Sequence, residues 1–318
     1  MRGGLRYVRH AKPLHGHIIR TFAFIGCASG LWALLPLVAK NIEAGGSSVY
    51  GLLLGSLGVG AVAGGLLLQR FRNHVSNLQQ LVMVSNLVFA GAILIAAWAT
   101  SLWVICPALI MGGASWISFN STISAAYQTS LPAWVRARAL AIFMLTFQGS
   151  MALGGVFWGS IASHLSVAQT LTLAAGLIGL SLLLTRRLPV RMGHDDDVTL
   201  SQHWAEPTIV GHLGPDDGPV AVQVDYHIPY ENRLAFTQGI YQLGKVRRRD
   251  GASHWLLYRD IADPEHFSER FIIASWGEHQ RQRGRSTLAD REQEQALSQF
   301  FKPGSSAVLR RTSLAMIS

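Results

Sequence analysis

Residues Tyr50 to Asn73 read YGLLLGSLGVGAVAGGLLLQRFRN. No charge interrupts the stretch from Tyr50 to Leu68, and Arg70 and Arg72 follow at once. An apolar run of about 20 residues is what a helix needs to cross the hydrocarbon core of a bilayer. The stretch therefore reads as a membrane span that ends in a basic loop. Its glycines recur as Gly51-x-x-x-Gly55 and Gly60-x-x-x-Gly64, a spacing that lets helix backbones approach closely in lipid.

Five more runs of this kind lie around it, giving spans at about Ile18 to Ala39, Val49 to Leu68, Leu78 to Ala99, Leu102 to Tyr127, Leu140 to Ser163 and Val167 to Thr185. The fifth carries a second glycine pair, Gly155-x-x-x-Gly159. These pairs serve packing either within the six-helix unit or against a second unit. Every second loop is basic: the opening MRGGLRYVRHAKPLHGHIIR, then QRFRNH, LPAWVRARAL and TRRLPVR, while the intervening loops hold little beyond Lys40 and Glu43. Positive charge marks the cytoplasmic side, which places both ends of the chain in the cytoplasm and the spans in a bacterial inner membrane.

Composition divides the chain in two. Up to Gly193 there is one acidic residue, Glu43, against 13 Lys and Arg; from His194 onward there are 17 acidic and 14 basic residues. The first region has the composition of a membrane bundle and the second that of a soluble domain. The positive charge sits on the membrane region, so the high isoelectric point is no sign of nucleic-acid binding, which needs a basic soluble surface. The polar stretch 189–218 reads as a linker between a bundle over 1–188 and a small domain over 219–318. Its His194, Asp195, Asp196 and Asp197 form a solvated charge run, since nothing in the pattern fixes a metal geometry.

The tail alternates between strand and helix. VAVQVDYHI reads as a strand, Tyr230 to Arg248 as a helix, SHWLLYRDI and ERFIIASW as two strands, Ser286 to Phe300 as a helix, and AVLRRTSL as a last strand. That β-α-β-β-α-β order is the ferredoxin-like split unit. The fold class is thus an all-α bundle of six transmembrane helices followed by a small α+β domain. His254, Trp255, Trp276, Glu278 and His279 are the side chains in the tail on which an enzymatic reading would have to rest, but Glu278 and His279 are sequence neighbours and on a strand would face opposite ways. No Ser-His-Asp order, metal-ligand spacing or phosphate loop is present, so no catalytic residue, metal or cofactor is assigned. The arginines of RRRDGA and RQRGR read either as a solvated basic face or as contacts to anionic lipid.

GGLLLQRFRN resembles the loop signature of the major facilitator superfamily after the second helix of a half, through Gly65, Arg70 and Arg72, with Gln69 where an acid is usual. LPAWVRARA is similar to the loop between the fourth and fifth helices of a half, through Pro132, Arg136 and Arg138. From FTQGIYQLGKVRRRDG to GRSTLADRE the tail resembles the C-terminal extension of the transmembrane secretion effector branch, which includes enterobactin exporter-like proteins. The resemblance implies that the six spans correspond to helices seven to twelve, that the opening stretch corresponds to the central loop, and that the soluble domain is of the dimeric α+β barrel type. It also implies a secondary exporter of small amphipathic or siderophore-like molecules that needs a second six-helix bundle as partner, either a separate N-terminal half or a second copy. By family position, the second and fifth spans form the seam with that partner. A non-transporting anchor for a regulatory or dimerising domain is the alternative.

No Asp or Glu lies inside a span, and acids at depth are the usual proton relays. The fourth span places Trp116, Asn120, Ser124 and Tyr127 on one helical face. By family position this face borders the substrate cavity, together with Gln148 and Trp32. Asn120 and Gln148 read equally well as hydrogen-bonding neighbouring helices, and Asn86 reads as a packing residue. Pro36 and Pro107 free a backbone carbonyl within their helices. Cys27 and Cys106 read as small apolar residues.

Overall fold

The computed structural model describes residues 2–42, 46–71, 77–193, 198, 199, 201 and 214–313. Glu43, Arg72 and the His194 to Asp197 run lie outside the described residues. The chain packs as two units, one of Pro13–Thr129 with Leu140–Met192, the other of Met1–Lys12 with Ser130–Ala139 and Gly193–Ser318.

A short helix, α1 (Arg2–His10), precedes α2 (Lys12–Lys40), α3 (Ser47–Phe71), α4 (Leu78–Trp98), α5 (Leu102–Thr129), α6 (Ala133–Ala162) and α7 (Val167–Thr185). Among the described residues, helices α2 to α7 are the six elements long and apolar enough to span a bilayer. Their starts follow local chemistry. Asn77 caps α4 by accepting from the Gln80 N–H, and Ser166 with Gln169 closes a reciprocal capping box on α7.

Two expected loops are helical. The LPAWVRARAL stretch turns only over 130–132, and α6 is already running at Ala133, because Ala, Arg and Trp continue a helix once Pro132 has opened it. The basic opening stretch is helix as well, divided into α1 and the start of α2.

Within the bundle unit, α3 lies on α5, α5 on α4, and α4 on α7. The closest approaches are made by glycine. A Cβ added to Gly60 would overlap the Ile110 carbonyl, one on Gly64 the Ala114 backbone, and one on Gly113 the Leu57 carbonyl, so α3 and α5 touch backbone to backbone. Gly154 of α6 sits in the same way against Ser29 and the Gly26 carbonyl of α2, and the Trp158 Nε1 donates to that carbonyl at 2.8 Å. In lipid, dispersion across such contacts holds helices together.

The soluble domain runs β1 (Val220–His227), α8 (Arg233–Asp250), β2 (Ser253–Arg259), β3 (His266–Ile273), α9 (Trp276–Arg283), α10 (Leu288–Leu297) and β4 (Val308–Ser313). The sheet order is β2-β3-β1-β4, and every pair is antiparallel. Strand alternation puts Val220, Val222, Val224 and Tyr226 of β1 and Phe267, Phe271 and Ile273 of β3 into a core closed by Phe236, Ile240 and Leu243 of α8. Gly244 lets α8 come down onto the Trp255 ring, where any Cβ would collide. His254 has a positive φ of 50° beside the irregular register between Ser253 and Leu256. Irregularities of this kind re-aim a side chain, and here the next one, Trp255, is buried. The expected strand ERFIIASW stops at Ile273, since Ser275 accepts from the Glu278 N–H and starts α9. An unexpected helix, α9, therefore precedes the expected one, which appears as α10.

Candidate functional site

Trp116 is the centre of an aromatic cluster in the bundle. Its ring lies 5.6 Å from Trp32, 5.6 Å from Phe89, 5.8 Å from Phe24 and 6.3 Å from Phe147. Two of the expected face residues, Trp32 and Trp116, thus meet across α2 and α5. The Trp32 Nε1 is buried and has no hydrogen-bond partner among the described residues. Asn120 is half-buried and its Nδ2 donates at 2.8 Å to the Trp116 carbonyl of its own helix, so it does not bridge helices through that bond. Ser124 accepts from Gln128 at 2.9 Å, again within α5. Tyr127 is fully buried against Phe143, with ring centroids 4.8 Å apart. Gln148 is exposed on α6. Asn86 is buried on α4 and its Oδ1 has no partner among the described residues.

The glycines divide by direction. Gly60 and Gly64 face α5, whereas an added Cβ on Gly51, Gly55, Gly155 or Gly159 would meet nothing. Five residues of helix turn the chain by about 140° between Gly55 and Gly60, so the two motifs of α3 point to different sides. On α6 the neighbours Gly154 and Gly155 differ by about 100°; the first packs on α2 and the second faces outward. These two helices are also the least covered of the six, with 17% of the span in α6 and 28% in α3 buried. Gly113 and Gly154, which make closest approaches, were not singled out from the sequence; the Ser150-x-x-x-Gly154 spacing was the signal available.

Arg20 was another omission. It counts as one basic residue of a loop in the sequence, yet it is buried inside α2. Its guanidinium donates to the Thr185 carbonyl at 2.8 Å, the Leu188 carbonyl at 2.9 Å and Gln79 Oε1 at 3.0 Å. It thereby satisfies carbonyls that the end of α7 leaves without helical partners. The same Gln79 Oε1 accepts from the Val190 N–H. Of the loop-motif residues, Gly65 has only a distant neighbour in Ile117, Arg70 is exposed at the end of α3, Pro132 is buried, and Arg136 and Arg138 are exposed, with Arg136 reaching the Leu131 carbonyl.

The model of the transmembrane secretion effector family matches residues 1–316, taking in bundle and domain alike. The chain belongs to the transmembrane secretion effector family. No curated protein and no solved structure gives a match. Family membership makes this secretion effector a multi-pass membrane transporter of the major facilitator kind rather than an enzyme.

In this secretion effector two arginines of the RRRDGA stretch are committed to ion pairs inside the domain. Arg247 pairs with Glu269 and Glu294, and Arg249 with Asp250 and Asp290. Burial alone would lower the Arg247 pKa, but Glu294 and Glu269 outweigh it and raise it. Burial and then the Glu269 charge push the Tyr226 phenol well above its usual range, so it stays a donor. Neither a solvated face nor lipid contact describes Arg247 and Arg249, because both are held inside the domain. Glu278 gathers Arg6 of α1, Arg281 and Arg285. Around it Tyr7 packs edge-on to Trp134 at 5.4 Å, Arg249 lies over Tyr7, and Arg285 lies over Trp134 at 4.4 Å. The domain thus grips α1 and the 130–139 stretch in one compact unit. Of the side chains an enzymatic reading would use, Trp255 donates to Glu269 at 2.7 Å, Trp276 begins α9 beside the buried His279, and Glu278 and His279 lie on a helix instead of a strand.

Proposed function

We propose that the chain is half of a secondary exporter for small amphipathic or siderophore-like molecules, working only when a second six-helix bundle covers α3 and α6. The observation that carries this is the pair of outward glycine ridges, Gly51 with Gly55 and Gly155 with Gly159, open on the two least covered helices. Transporters of this superfamily place substrate near the midplane between two bundles. The face of Trp32, Trp116, Asn120, Ser124 and Gln148 contributes one wall, with Tyr127 packed behind it on Phe143. With no acid in the six spans, the coupling acid belongs to the partner. The partner is a separate N-terminal half or a second copy, and the basic loops support an inner-membrane topology with both ends cytoplasmic. The strand order β2-β3-β1-β4 supports reading the soluble domain, 219–318, as a ferredoxin-like module.

The test uses inverted membrane vesicles, in which export appears as uptake of a fluorescent amphipathic dye or a catecholate siderophore. Uptake lost together with cross-linking between bundles in a Gly55→Leu/Gly159→Leu variant is the expected result. Uptake by a chain that remains a single bundle would overturn the pairing, and no uptake of either class would leave a membrane-anchored domain. Asn120→Leu with Gln148→Leu tests the proposed face separately, and undiminished uptake would remove it.

A further inference from the structure

Among the described residues, a cavity of about 420 Å³ opens in the soluble domain, with β1, α8, α10 and β4 contributing to its lining. Packed interiors leave few voids larger than a water molecule, whereas this volume lies in the range of small-molecule sites, which combine apolar walls with a few placed polar groups. Val224, Leu243 and Leu297 are buried and form the apolar depth of the lining. Leu309 of β4 stands at the mouth, 37% exposed.

The polar groups at this depth are already engaged with one another. Tyr226 Oη donates to Glu269 at 2.9 Å, and Arg247 pairs with both Glu269 and Glu294. A charged ligand would lose its water on entering and would have to compete with these pairs, and separating a buried pair is costly. An uncharged ligand meets neither penalty. The remaining lining cation, Arg291, sits on the exposed rim, where water screens it. Beside it, Gln295 lines the mouth, exposed and uncharged, and its side-chain amide can both donate and accept a hydrogen bond. The lining thus offers an apolar depth whose charges are spoken for and a neutral polar group at the entrance.

We propose that this cavity binds a small uncharged amphiphile, its apolar body against Val224, Leu243 and Leu297 and a hydroxyl or carbonyl group at Gln295. The site lies wholly within the soluble domain, so the proposal is independent of transport. It is tested with the full chain in neutral detergent micelles at pH 7, by equilibrium dialysis against 1-naphthylmethanol, 1-naphthylmethylamine and 1-naphthoate, with protein-free micelles as the blank. Saturable binding of the alcohol, at least about tenfold tighter than that of the charged amine or carboxylate, is expected. Leu309→Trp should fill the mouth and abolish binding of all three probes. Because a change in β4 can disturb the sheet, a second variant is included: Gln295→Glu, at an exposed position outside the core, should shift the preference toward the amine by about tenfold. Binding of the amine or the carboxylate as tight as that of the alcohol would overturn the proposal. So would uptake no greater than that of protein-free micelles, saturable binding unchanged in Leu309→Trp, or a preference unmoved by Gln295→Glu.

Discussion

The bundle and the soluble domain both bury polar groups but satisfy them by opposite means. In the bundle the bonds are local: Ser29, Ser56, Ser115, Asn120, Ser150, Ser181 and Thr185 each donate to a carbonyl three or four residues back on their own helix. In the domain they are distant in sequence, Tyr226 to Glu269, Arg247 to Glu294, Arg249 to Asp290. A local bond ties no helix to another, so the helices of the bundle are held together mainly by packing, with Trp158 and Arg20 as the cross-helix ties described above. A distant bond fixes one tertiary arrangement, and leaving one partner of a buried pair alone is costly. The bundle thus relies on packing between helices and the domain on bonds between residues distant in sequence.

The largest effect should come from breaking the rule of the domain. Glu269→Leu strands Arg247, Tyr226 and Trp255 together and is expected to cost about 3–5 kcal/mol in denaturation of the domain. Adding Arg247→Met should recover more than half of it, and no recovery would show that the pair is not a unit. Next comes Arg20→Leu, which removes the bundle's one distant charged tie described here. Three charge-assisted bonds are lost, and about 3 kcal/mol should disappear from thermal unfolding in detergent. A smaller contrast separates the glycines of α3. Gly60→Leu should cost about 1–3 kcal/mol through overpacking, while Gly55→Leu leaves the stability of the isolated bundle unchanged; equal effects would contradict the two directions described. The smallest effect concerns Glu278. Burial raises its pKa, but the bonds from Arg281, Arg285 and Arg6 outweigh this and hold it below the ordinary value of 4.5. A depressed carboxylate pKa contributes stability that is full at neutral pH and lost as the pH falls through the folded value. Hydrogen exchange of α1 should therefore rise as the medium is acidified below about 4.5. Glu278→Gln should loosen α1 already at pH 7, by no more than about 1 kcal/mol.

The same contrast explains what could be read in advance. The six spans, the split order of strands and the basic loops depend on composition and on spacing along one element, and all are visible in a single sequence. The start of α6 at Ala133 and the helix α9 are not legible, because Pro132 reads as a loop residue and Ser275 as part of a strand. Arg20 was missed because its partners, Thr185 and Leu188, lie at the far end of the bundle sequence. The Glu269 network was missed for the same reason, since nothing near Glu269 announces Tyr226, Arg247 or Trp255. On α3 and α6 the motif was legible and its direction was not, because direction depends on which neighbour a helix finds.

The grip of the domain on Tyr7 and Trp134 has a consequence in the order of synthesis. Chains emerge N-terminus first, so Tyr7 is made before Trp134, and Arg249 and Arg285, which lie over these rings, are made after both. Until residues 249–285 are made, both aromatic rings lack these covering arginines. A product interrupted before the soluble domain would carry that uncovered pair as a mark of incompleteness, and only a chain that includes the domain could hide it.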